Sequence, residues 1–179
     1  MAGTIMPALQ PVLNFLQTRL LSISVANGFY YDVTADQILT IKKDLITDGS
    51  AAGPNMALYV IGWDKGEPGD TANYAQVLAT VHLGIDFAIN VQDSDSPVTD
   101  LLKAEADIET AVKADTSQGG TCKNTTSPNL TVWGLDASGW FSASLAFDVL
   151  VAWAETTPNQ EFATTYNVVG NDGINVIGI

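Results

Sequence analysis

Few residues in this chain have the types and spacing that chemistry needs. His82 and Asp86 lie four apart on the polar side of an alternating stretch. With a serine they would suggest a hydrolytic triad, but no G-x-S-x-G turn occurs to present one. Asp93, Asp95 and Asp100 form a small acidic cluster of the kind that holds Ca²⁺ or Mg²⁺. The twelve-residue calcium loop, with its central glycine and closing glutamate, is absent. Asp95 and Asp100 also stand where acids favour a helix N-terminus, so capping is the preferred reading. Asp64, Glu67 and Asp70 read as a solvated turn. Gly62, Gly66 and Gly69 have the wrong spacing for a dinucleotide fingerprint. Cys122 lies in a polar stretch with no cationic cluster to activate it. The residues therefore give no catalytic, cofactor or metal assignment. The rival from another class is a small metal-dependent enzyme using Asp93, Asp95 and His82.

Composition narrows the classes further. The 179 residues correspond to about one domain. Charged residues make up 15%, well below the usual ~25%. Seven basic residues against twenty acidic give a net charge of −13, which argues against tight binding of nucleic-acid phosphates. A lone cysteine makes no internal disulfide and suits a compartment that is reducing, or at least indifferent to redox. No run of eighteen apolar residues predicts a membrane span, and no secretory leader is expected at the start.

The elements that would position these residues follow from periodicity. Leu9, Val12, Leu13, Leu16, Leu20 and Ile23 predict a first helix with Pro11 in its first turn. Asn27-Gly28 should stop it. Residues 30–33, 38–41 and 57–63 read as strands. Residues 77–91 alternate with period two, placing Val81, Leu83, Ile85 and Phe87 on one face and Thr80, His82 and Asp86 on the other. Such a strand spans roughly 50 Å at ~3.3 Å per residue, longer than most. Ser96-Pro97 opens a second helix with Leu101, Ala104, Ile108, Ala111 and Val112 as its apolar stripe. Gly119-Gly120 should end it. Residues 130–135 and 140–153 form a hairpin around Asp136-Ala137-Ser138-Gly139.

The predicted fold is α+β: an antiparallel or mixed sheet with long strands or hairpins, packed against two helices. Residues 1–158 form one domain, and residues 159–179 a β-prone tail or arm. The second face of the last long strand is small and uncharged, which suits protein better than water. Ser142, Ser144, Ala146 and Leu150 are therefore the expected subunit-interface residues.

The phrase Ile23-Ser24-Val25-Ala26-Asn27-Gly28-Phe29-Tyr30-Tyr31-Asp32-Val33 resembles one in bacteriophage tail-terminator and tail-completion proteins, which act at the head–tail neck. Three later pieces follow in order. Residues 58–63 look like that family's first core strand. Residues 101–112, with Ala106-Asp107-Ile108, are similar to its second helix, and residues 136–153 to its final hairpin. The likeness covers about residues 10–155, leaving the 64–75 insert and the tail unmatched. It implies a non-enzymatic virion subunit that forms a ring, commonly a hexamer. Such a ring caps the tail tube and joins tail to head. The implied partners are further copies of itself, the tail-tube protein and a head connector or stopper. DNA would pass through without tight binding, no membrane is involved, and assembly takes place in the bacterial host cytoplasm. A connector, stopper or minor tail protein is the alternative within this class.

Overall fold

In a computed structural model of the chain, residues 6–39, 53–65 and 76–154 are described. Glu67 and Asp70 of the expected turn and the tail at 159–179 lie outside them.

Helix α1 (Met6–Leu20) buries Leu9, Val12, Leu16 and Leu20 completely, with Leu13 packed at the margin. The helix starts earlier than the apolar stripe implies, so Pro11 is inside it and not in its first turn. Pro11 faces solvent, and the N–H it lacks would have bonded the carbonyl of Pro7. A 3₁₀ turn (Val25–Asn27) follows and ends at Gly28 with φ 89°. That left-handed conformation explains the glycine.

Residues 30–33 are irregular and not a strand. Their backbone donors find side-chain and non-ladder partners instead: Tyr30 and Tyr31 bond Asp107, and Val33 bonds the carbonyl of Ile23 at 3.0 Å.

Among the described residues the sheet has six strands: β1 (Ile38–Leu39), β2 (Asn55–Lys65), β3 (Gln76–Asn90), β4 (Asn124–Thr125), β5 (Asn129–Leu135) and β6 (Trp140–Ala154). The order is β1-β2-β3-β6-β4, with β5 also pairing β6. The β1–β2 pair is parallel and the rest are antiparallel, so the sheet is mixed. The two fifteen-residue strands β3 and β6 pair along their full length, from Gln76↔Ala154 to Asn90↔Trp140. Alternation puts Val81, Leu83, Ile85 and Phe87 into the core together with Leu145 and Val149. Both helices cover this face.

Helix α2 (Pro97–Lys113) buries the predicted stripe and, in addition, Asp107. Ser96 occupies the N-cap position without a side-chain capping bond. The local bonds belong to Ser94, whose hydroxyl donates to Asp100 at 2.6 Å and accepts from the Ser96 N–H. The helix also ends six residues before Gly119. The buried Gln118 side chain donates to the Val112 carbonyl at 2.9 Å and caps it from outside the helix. Asp115 meanwhile accepts from the N–H groups of Ser117 and Gly119 and fixes the turn.

Candidate functional site

The face of the sheet away from the helices carries the chain's one histidine and the four expected interface residues. Its geometry begins at Gly84 on β3. With no side chain there, the ring of Tyr59 from β2 lies across the strand. The Tyr59 hydroxyl donates to Asp86 at 2.8 Å. Asp86 is thus buried, at 5% exposure, and not on a wetted face as alternation suggests. Ser144 of β6 also hydrogen-bonds the Tyr59 oxygen. Burial, and then the bond to Asp86, raise the Tyr59 pKa above its usual value of 10.0.

Ser142, Ser144, Ala146 and Leu150 all lie half-buried on this outer side of β6. Ser144 already has a partner within the subunit, which distinguishes it from Ala146. Ala146 instead borders a shallow cavity of about 240 Å³ with Ile61, Thr126, Asn129, His82 and Asp148.

His82 faces two carboxylates, neither of them Asp86. Its Nδ1 is 2.6 Å from Asp148 of β6, and its Nε2 is 3.1 Å from Asp64 of β2. Asp64 is therefore a strand residue paired with histidine, not part of a solvated turn. Asp148 is held in turn by the loop before β5: its N–H donates to the Thr126 hydroxyl at 2.8 Å. The bonds to Asp148 and then Asp64 raise the His82 pKa above 6.5.

The metal-enzyme set Asp93, Asp95 and His82 does not come together. His82 is eight residues from the end of β3, roughly 26 Å along an extended strand, whereas both aspartates lie beyond that end. Among the described residues no three His, Cys, Asp or Glu side chains form a group suited to a metal ion. Asp100 accepts from Ser94 and from Lys103 at 3.0 Å, which lowers its pKa and anchors the first turn of α2. Cys122 is buried, and desolvation raises its thiol pKa, so it stays a protonated packing group.

At the sheet margin, one half of the predicted hairpin has a second feature. Strand β5 contains no charged residue in Asn129–Leu135. Val132, Trp133 and Leu135 on it are 50%, 54% and 53% exposed. Among the described residues β5 pairs only with β6, leaving its other edge open. Soluble proteins usually protect such an edge with lysine, proline or a covering segment.

No family model matches the chain, and no curated protein matches it. Among solved structures, a chain described as "Virion of native gene transfer agent (GTA) particle" is similar over 85% of this chain and 100% of that one. The identity is 10% and the TM-score 0.37.

Proposed function

We infer that this chain is a non-enzymatic structural subunit of a phage-type virion, assembling into a ring as a tail terminator. The observation that carries this reading is β5, an uncharged edge strand with three large apolar side chains half in water. An edge of this kind is completed by backbone pairing with another chain. When the patch it adds to and the patch it projects differ, the contacts are head-to-tail, and they make a ring where the rotation between subunits closes and a filament where it does not. Among the described residues the far half of β2, beyond its short pairing with β1, is a second open edge, and it is the proposed acceptor.

The tail-terminator role rests on the resemblance of residues 23–33, 58–63, 101–112 and 136–153 to that family. The ring would cap the tail tube on one side and meet a head connector or stopper on the other. The net charge of −13 suits a lumen through which DNA passes without adhering. Residues 159–179, with β-prone runs at 166–169 and 174–179, are proposed as an arm reaching a neighbour.

Immunogold labelling of purified particles with an antibody to this chain tests the role. Label confined to the head–tail junction is expected. Label along the whole tail, or none on the particle, contradicts the terminator assignment.

A further inference from the structure

Three neighbouring strands bring ionisable side chains together on the outer face: His82 and Asp148 are directly opposed, and Asp64, opposite Thr80, reaches His82 on the diagonal. Asp64 comes from β2, His82 from β3 and Asp148 from β6. Ionised carboxylates only accept hydrogen bonds, and a neutral imidazole has a single N–H. A neutral ring would therefore set a lone pair against one of the two carboxylates. Only the imidazolium satisfies both contacts, at 2.6 and 3.1 Å.

Among the described residues, this cluster lies where β2 is least supported. Among the described residues strand β1 pairs with it only at Met56 and Ala57, and the β2–β3 register shifts between Val60 and Gly62. Past that bulge, among the described residues, β2 has β3 as its one strand neighbour. Around His82, Thr80 and Gly84 on β3, Ala146 on β6 and Thr126 before β5 are all uncharged. The next carboxylate along β3, Asp86, is engaged with Tyr59.

We propose that His82 is a pH-operated staple: its doubly protonated ring ties the far half of β2 to β3 and β6, and loss of one proton loosens residues 61–65. The two carboxylates hold the ring's proton above the ordinary histidine range, Asp148 more than Asp64. The contribution is complete below about pH 6.5 and is lost as pH rises through the raised value. His82 is 36% exposed and Asp64 84%, so the effect is confined to this end of β2.

Because the chain has one histidine, its ring can be read directly by long-range ¹H–¹⁵N NMR on the full-length protein. Both nitrogens should be protonated at about pH 6, with a midpoint above 6.5. Asp148→Asn should lower that midpoint more than Asp64→Asn. Hydrogen exchange of residues 61–65, corrected for the intrinsic pH dependence, should accelerate roughly threefold or more across the midpoint. That change should vanish in His82→Gln. Should that variant not fold, Asp64→Asn makes the same comparison, and the change should shrink in it. A wild-type midpoint at or below 6.5 overturns the proposal. So does protection that ignores the midpoint or changes equally in the variants.

Discussion

The Tyr59 ring occupies the space that a side chain at Gly84 would need. A Cβ added to Gly84 would lie 2.6 Å from the Tyr59 Cζ and 2.8 Å from its hydroxyl oxygen. The same hydroxyl bonds the buried Asp86, so the ring cannot retreat without leaving that carboxylate short of a donor. Gly84→Ala should therefore destabilise the subunit by about 1–3 kcal/mol. Chemical denaturation of the two proteins side by side checks this. Unchanged stability would show that the ring moves freely.

Asp107 ties the loop after α1 to α2. Its carboxylate accepts from the Tyr30 N–H at 2.9 Å and from the Tyr31 N–H at 3.0 Å, across more than seventy residues of sequence. Burial raises its pKa, against those two bonds, which lower it. Asp107→Ala should cost about 1–3 kcal/mol by leaving both donors without their acceptor. The raised pKa also sets the sign of a pH effect. The folded chain keeps this proton to higher pH than the unfolded chain, so the contribution falls as pH rises from about 3.8 through the raised value and is level above it. Asp107→Asn should remove that part of the stability–pH curve.

Gly28 stands at φ 89° with nothing within 4 Å of where a Cβ would be. Strain there would come from the backbone alone. Gly28→Val should lose roughly 1–3 kcal/mol, while Gly28→Asn, which tolerates the left-handed region, should lose less. Thermal melts of both variants test the ordering.

These residues show what the sequence made legible. Periodicity located β3, the β5–β6 hairpin and the buried stripes of both helices, because each signal is local and repeats every two or three to four residues. Residues 30–33 have strand composition, yet they are irregular because the Tyr30 and Tyr31 N–H groups are taken by Asp107, more than seventy positions away, and that of Val33 by the Ile23 carbonyl. The end of α2 depends on Gln118 folding back onto Val112. Asp86 belonged by alternation to a polar face, and only Tyr59 from another strand buries it. The partners of His82 lie 18 and 66 residues distant, and no spacing rule joins them.

The outer face of β6 separates two variants. Ser144 is engaged with Tyr59 inside the subunit, so Ser144→Lys should disturb the fold as well as assembly. Ala146 borders the open cavity, so Ala146→Glu should leave circular dichroism unchanged and weaken assembly, where its charge would be buried without a partner. A ring that forms normally from Ala146→Glu would remove this residue from the interface.

Six subunits at −13 would carry about −78 together, and a surface of that sign repels phosphate. Duplex DNA should show no measurable binding at physiological salt. A submicromolar shift in a gel assay would contradict the picture of DNA passing through a non-adhering lumen.

Ring assembly through the β5 edge is tested most directly by light scattering on the purified full-length chain over a concentration series. A discrete mass at a closed multiple of 18.9 kDa is expected, about 113 kDa for a hexamer. Val132→Lys, which puts a charge on the open edge, should return the protein to folded monomers. A wild-type chain that stays at 18.9 kDa at every concentration, or a Val132→Lys ring indistinguishable from wild type, would contradict it.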